Sequence, residues 1–440
     1  MDLSSKLFTE YSSVILIGFA YDGPSNTLQY MDNTDRTEAN LGSGSQLANA
    51  VHEAYNAGAK SIFTVRINGT NASVTLQDML KISNINAGTK YNGRPFSISG
   101  GYMNIDGNIY TLSDYTDIKE LAVKINADRD LNVHKYTAEI VNNSPVSSLI
   151  DVVTEFSGAL DEDILSESDI YSRLDNIYYL LHSYPANIIV PLCAPYDSTQ
   201  EFDTQLISFC KEKFDNGEFA IGIMSVNPPV YYESIPKDQS IQNQVDKLKG
   251  ITKDYGKDGR FISVVVSTAN YRNNLFYTSN CAASYAGLIS LNPFKTTTNK
   301  VISGISSLDA IYTESQMNDL SNYVFIQDTV RIGLAVRYGN TVYNGFSLET
   351  SNIISHINCI VQQANYDINE IIVRNVASSI LEKRIAKDLQ SLIDNKEIRS
   401  VTVTTSDFDD ITRYASISID FVKYNEVRAI TAQVGVYYGI

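Results

Sequence analysis

At 440 residues, 43% hydrophobic and 19% charged, the chain is long enough for two or three domains and too apolar to be disordered. A formal net charge of −16 argues against a phosphate-backbone partner, which needs clustered Lys and Arg. No apolar run approaches the ~20 residues of a membrane helix.

Met1 to Tyr11 carries Asp2, Lys6 and Glu10 and lacks the apolar core of a secretory signal. Val14-Ile15-Leu16-Ile17 is a continuous apolar run, the pattern of a buried strand, and leads to a Gly23-Pro24 turn. After a polar loop, Leu47, Val51, Ala54 and Tyr55 share one side of a helix that Gly58 terminates. Ser61 to Arg66 follows as a strand, which completes a parallel βαβ pattern. From about Asn68 to Ser144, frequent turn pairs separate short β-prone runs, interrupted by a helix over Ile118 to Asn126. This predicts an inserted α+β module.

From about residue 150 to 290, strands and helices alternate. Strands are predicted at Ile188–Val190, Phe219–Val226 and Phe261–Val266, and helices at Phe202–Phe214, Ile241–Tyr255 and Cys281–Leu291. Such alternation implies a parallel sheet covered by helices. Strands return at Val324–Ile326 and Val330–Arg337, with a hairpin turn expected at Gly339-Asn340. Two helices follow, roughly Ser351 to Asn365 and Asn375 to Ile393. The second places Val376, Ile380, Ile385, Leu389 and Leu392 on a buried face and Lys383, Arg384 and Lys387 outside.

The last stretch reads as two strands. Ala415, Ile417, Ile419 and Phe421 alternate with Tyr414, Ser416, Ser418 and Asp420. After a break at Tyr424 to Glu426, Ile430, Ala432, Val434, Val436 and Tyr438 share a face. A patterned strand running almost to a terminus needs a sheet to join, either its own or that of another subunit. The 29 Tyr fit extensive contact surface or simple strand preference.

No catalytic centre is visible. The Gly18 to Pro24 loop lacks both phosphate-binding glycine patterns, and there is no nucleophile elbow. His52, His134, His182 and His356 are isolated, as expected of surface or satisfied core residues. The acidic clusters Asp161-Glu162-Asp163 and Asp407, Asp409, Asp410 read as solvated turns, the first lacking calcium-loop spacing. Cys193, Cys210, Cys281 and Cys359 stand far apart, read as reduced, mostly buried thiols, and point to a protein made in a cytoplasm. No cofactor or metal site is expected.

Three stretches together resemble contractile tail sheath proteins of myophages, R-type bacteriocins and related injection machines. The first is Val14 to Pro24, with the helix end Ala54-Tyr55-Asn56-Ala57-Gly58-Ala59 and the strand Phe63-Thr64-Val65-Arg66. The second is Tyr285-Ala286-Gly287-Leu288 to Pro293, then Thr296-Thr297-Thr298-Asn299-Lys300-Val301-Ile302-Ser303-Gly304. The third is the order of two helices and then strands over Ile353 to Arg399. One departure is the N-terminal arm, since only about a dozen residues precede Val14.

The resemblance implies a multidomain α/β and α+β chain. Its inner sheath domain would combine residues 1–67 and 301–425, with a β-rich insert at 68–145, an α/β insert at 146–300 and a strand arm at 426–440. The arm, carried by Ile430, Ala432, Val434, Val436 and Tyr438, would be exchanged between subunits as β-augmentation. The implied function is a non-enzymatic subunit of stacked hexameric rings, assembled in a bacterial host cytoplasm into a virion tail or equivalent particle. The implied partners are copies of itself, an inner tail tube protein, the baseplate and the tail terminator, with no nucleic acid and no membrane insertion. Lys383, Arg384 and Lys387 are the candidate tube contact. Two alternatives stand beside it: an α/β enzyme whose site lies on loops after Ile189, Met224 and Val266, and a non-contractile self-assembling shell protein.

Overall fold

The computed structural model describes the backbone of residues 11–437, except 32–33, 68, 70, 88–90, 132, 159–164, 273–275, 330–332, 344–345, 370–376, 406–413 and 424–425. The chain opens with β1 (Val14–Gly18), β2 (Leu28–Met31), α1 (Thr34–Leu41), α2 (Gln46–Ala57) and β3 (Ile62–Arg66). β1 and β3 are parallel neighbours, so the βαβ expectation holds. The polar loop inside it adds β2, antiparallel to β3. Ser45 caps the start of α2 by accepting from the Ala48 N–H. Gly58 closes the helix, its N–H meeting the carbonyls of Ala54 and Tyr55.

A β-rich module follows. It contains β4 (Asn71–Leu76), β5 (Leu80–Ala87), β6 (Pro95–Ser99), β7 (Tyr102–Ile105), β8 (Asn108–Thr111), α3 (Ile118–Asp130), β9 (Tyr136–Ile140) and β10 (Val152–Glu155). These make two antiparallel sheets, β4-β5-β9 and β10-β6-β7-β8. Their apolar side chains form a separate core running from Ala72 to Phe156, about ten residues beyond the expected boundary. Entry and exit are adjacent: the Ser73 N–H donates to Ser157 at 2.9 Å, and the Ser157 N–H returns a bond at 3.3 Å. Replacing residues 74–156 by a short Gly/Ser linker should therefore leave the body folded, its melting temperature within about 5 °C of the parent. A loss of cooperative melting would show that the module and body share a core.

The chain then runs through α4 (Glu167–Leu181), β11 (Ile188–Pro191), α5 (Phe202–Asp215), β12 (Ile221–Ser225), α6 (Lys237–Lys249), β13 (Ile262–Val265), β14 (Thr268–Arg272), β15 (Phe276–Asn280) and α7 (Ala282–Leu291). Here one expectation is corrected. Residues 146–300 do not stand apart as an inserted domain, because β11, β12 and β13 continue the N-terminal sheet in the order β13-β12-β11-β1-β3-β2. β1 is central, parallel to β11 on one side and to β3 on the other. Its alternate residues serve two cores. Val14 and Leu16 face the layer of α2 and α7, whereas Ile15 and Ile17 face that of α4, α5 and α6. Double-sided burial is why the run is continuously apolar.

β16 (Ile305–Leu308) pairs with β14, which in turn pairs with β15. After α8 (Glu314–Asp319), β17 (Ile326–Thr329) and β18 (Gly333–Val336) form a hairpin joined between Thr329 and Gly333. The turn expected at Gly339-Asn340 is not the hairpin's. Gly339 instead sits where an added Cβ would lie 2.2 Å from the Thr297 hydroxyl, so close packing explains the glycine.

The C-terminal part comprises α9 (Leu348–Asn369), α10 (Ala377–Asp394), β19 (Ile398–Thr405), β20 (Tyr414–Lys423) and β21 (Glu426–Tyr437). The three strands form one antiparallel sheet in chain order. Ile417, Ile419 and Phe421 are buried, as their alternation predicted, and join the core shared with β1, α2 and α7.

Candidate functional site

The elements singled out by sequence converge on the C-terminal sheet and the helices beside it. Ile430, Ala432, Val434 and Val436 pair in register with Phe421, Ile419, Ile417 and Ala415 of the same chain. β21 thus enters the structure as the second arm of a hairpin, not as a free extension. Tyr438 lies outside the described residues. Among the described residues, no further strand pairs with the outer edge of β21 or with that of β19. Each edge presents a row of backbone donors and acceptors, the usual template for pairing with another chain.

α10 packs Ile385, Leu389 and Leu392 into the core, while Val376 and Ile380 lie outside the side chains described. Lys383, Arg384 and Lys387 face outward as expected. Arg384 is not a free charge, for its Nε donates to Asp388 Oδ2 at 2.9 Å, one turn on. Lys387 borders a cleft of about 750 Å³ whose wall includes Tyr11, Asn187, Phe219, His356 and Asp388. Tyr11 meets Phe219 and Phe294 edge-on, at centroid distances of 5.7 and 5.5 Å, and His356 at 4.4 Å. Burial lowers the His356 pKa to about 4, so the ring is neutral at physiological pH.

The strand ends where an α/β enzyme would place its site are occupied by side chains of the protein itself. At the switch between β1 and β11, Gln46 accepts from the Phe19 N–H at 3.0 Å and donates to the Leu192 carbonyl at 3.3 Å. Beyond β11, Asp197 accepts from Lys247 Nζ at 2.6 Å, the Asn227 N–H at 2.7 Å and Asn227 Nδ2 at 3.1 Å. Nearby, Lys253 Nζ donates to Asp203 at 2.9 Å and to the Tyr196 carbonyl at 3.2 Å. These buried carboxylates hold loops in place.

The isolated histidines stay apart: His134 bonds Tyr110 at 2.6 Å, His182 approaches Glu212 at 3.3 Å and His52 approaches Glu38 at 3.5 Å. Three of the four free cysteines are buried, and burial pushes the Cys193 and Cys281 thiols up to about 12. Asp161 to Asp163 and Asp407 to Asp410 lie outside the described residues.

Two arrangements had no sequence signal. Lys423, at the end of β20, is buried against the first turn of α9. Its Nζ reaches Glu349 at 2.6 Å, the Thr350 hydroxyl at 3.1 Å and the Ser347 hydroxyl at 3.3 Å. Glu53, on α2, is 1% exposed. Both join residues far apart in the chain.

The geometry defines an α/β body that carries a β-rich module and a C-terminal sheet whose outer strands pair with no further strand among the described residues. No protein-family model and no curated protein matches the sequence. Among solved structures, a sheath tail protein from Desulfitobacterium hafniense is 14% identical, with a TM-score of 0.57 over 98% of this chain and 97% of that one. A sheath tail protein from Listeria innocua is also 14% identical, with a TM-score of 0.56 over 98% and 96%. The contracted PVC sheath of an extracellular contractile injection system is 9% identical, with a TM-score of 0.52 over 97% and 92%. The chain has the fold of tail sheath proteins.

Proposed function

We propose that the protein is the structural subunit of a contractile tail sheath, stacking as hexameric rings around an inner tube and contracting to drive that tube through a bacterial envelope. What carries this reading is the likeness to two solved sheath tail proteins over at least 96% of both chains. The outer edges of β19 and β21, which no other strand among the described residues joins, supply the second support, since a lattice that moves needs joints that stay bonded. Strand pairing between subunits provides them: each backbone hydrogen bond contributes only about 1 kcal/mol net, but a strand makes several. Contraction then draws on a difference between two packings of the same subunits. At ~25 cal/mol per Å² of apolar surface, a gain of a few hundred Å² gives several kcal/mol per subunit. The role is mechanical, not enzymatic, and the partners are further copies of the chain, an inner tube protein, a baseplate and a terminator. The protein would assemble in a bacterial cytoplasm and act as part of a tail or tail-like particle.

Electron microscopy of the purified protein tests this. Tubes of stacked rings are expected from the full chain, and none from a chain ending at Lys423. Flat sheets would favour a non-contractile shell, and monodisperse particles an enzyme.

The basic side of α10 is the proposed tube contact. Reversing Lys383, Arg384 and Lys387 to Glu should weaken co-assembly with the tube protein about tenfold or more, corresponding to ~1.4 kcal/mol or more. Growth unchanged by the reversal would remove this face from the interface.

A further inference from the structure

The cleft beside α10 lies where the described chain begins. Tyr11 forms part of its wall, together with Asn187 just before β11, Phe219 just before β12, and His356 and Cys359 one turn apart on α9. At about 750 Å³ it has the size of a site that takes a small ligand or a few side chains. Pro185, Phe219 and Ile360 make much of the wall apolar, and Glu218, Lys387 and Asp388 bring charges of both signs.

Tyr11 is pinned in that wall. Its ring packs against Phe219, Phe294 and His356, and two residues on, the Ser13 N–H donates to Asn187 Oδ1 at 3.2 Å. The backbone φ of Tyr11 is +61°, a left-handed conformation that a bulky residue rarely takes. Such strain persists only where the surroundings hold it. The chain therefore turns sharply at the cleft and does not run straight back from β1.

Residues 1–10 lie outside the described residues. Their sequence carries the apolar Leu3, Leu7 and Phe8, with Asp2, Lys6 and Glu10 between and beside them. Phe8 and Leu7 stand only three and four residues from Tyr11, within ~10–14 Å of chain. One wall residue also holds an unmet polar atom: His356 Nδ1 is buried with no hydrogen bond among the described residues. Ser4, Ser5 and Thr9 would each bring a hydroxyl that can donate or accept.

We propose that the cleft is the docking site of this chain's own residues 3–8, with Leu7 and Phe8 as the apolar anchors. A segment tethered at the wall competes at an effective concentration of about millimolar, so it takes the cleft ahead of the same segment from a second copy. Docked there, it fastens the entry to β1 onto α9 and α10, the two helices that lead into the terminal sheet, and it covers Cys359.

Cys359 reports on the docking, since the other three cysteines are buried. Its labelling by iodoacetamide, followed by mass spectrometry, should be about tenfold or more faster in a chain lacking residues 2–10 than in the full chain. A synthetic peptide of residues 1–10 should slow it again. Equal labelling of the full and truncated chains overturns the proposal. So does protection in the full chain that vanishes on dilution, which would mean that a second copy supplies the segment. If the truncated chain also labels at buried Cys210, and so is unfolded, the full-length double variant Leu7→Asp and Phe8→Asp takes its place. Fast labelling of Cys359 is expected there too, and labelling as slow as in the parent overturns the proposal.

Discussion

Replacing Lys423 by Met should lower the unfolding free energy by about 3–5 kcal/mol, a larger loss than any surface ion pair would give. The pair with Glu349 is shut away from water, with the two side chains only 9% and 10% exposed. Removing the lysine leaves the Glu349 carboxylate buried beside two hydroxyls, with no cation at 2.6 Å. The helix terminus offsets a little of this, because Glu349 lies in the first turn of α9, where the helix dipole favours negative charge. The loss comes from stranding a charge, not from the intrinsic strength of the pair. Lys423→Met combined with Glu349→Leu should therefore recover most of the deficit, ending within about 2 kcal/mol of the parent. Urea unfolding of the three proteins decides it. If the double variant were as unstable as the single one, packing at the foot of β20 would be the cause instead. Lys423 is the last residue of β20, so the pair ties the end of that strand to the first turn of α9.

The sequence disclosed each strand whose pattern follows from its surroundings, but not which strand lies beside it. Val14 to Ile17 reads as doubly buried because both faces are covered, yet nothing in four apolar residues says that Ile188 to Pro191 is the neighbour. The expectation of a separate 146–300 domain failed for that reason. Helix α4 went unread although its signals were present: a capping box between Ser166 and Asp169, then Ile170, Leu174, Ile177 and Leu181 on one buried side. The Gly339-Asn340 signal misled because one residue type serves two needs, tight turns and tight packing. At the candidate site, the outward side of α10 and the inward face of β20 were legible from periodicity. The bond between Lys423 and Glu349 was not, for it joins residues 74 positions apart and leaves no spacing to notice.

Gly287→Ala should destabilise the protein by about 3 kcal/mol or more, reversing the usual effect of that change. In an exposed helix, Ala is favoured over Gly by about 1 kcal/mol. Gly287 lies inside α7 where that helix crosses α2, and a Cβ there would stand 2.3 Å from the Ala54 carbonyl oxygen and 3.0 Å from its carbonyl carbon. The obstacle is backbone, so no rotamer change relieves it and the helices must separate by roughly an ångström in a close-packed core. The same helix meets another glycine nearby, for a Cβ on Gly304 would lie 2.6 Å from that of Asn56. Three phrases that looked independent in the sequence, the helix end at Ala54 to Gly58, the run from Tyr285 to Leu288 and the loop ending at Gly304, are thus one packing contact. Their co-occurrence follows from geometry: Gly287 lets α7 approach α2 at Ala54, and Gly304 lets its loop lie against Asn56 of the same helix. Gly250→Ala is the control, because its φ of −74° suits any residue and its closest neighbour is 3.3 Å away, so stability should change by less than about 1 kcal/mol. Thermal unfolding of both variants checks the contrast. A Gly287→Ala protein as stable as the parent would show that the two helices can part without penalty, and the three phrases would then need another explanation.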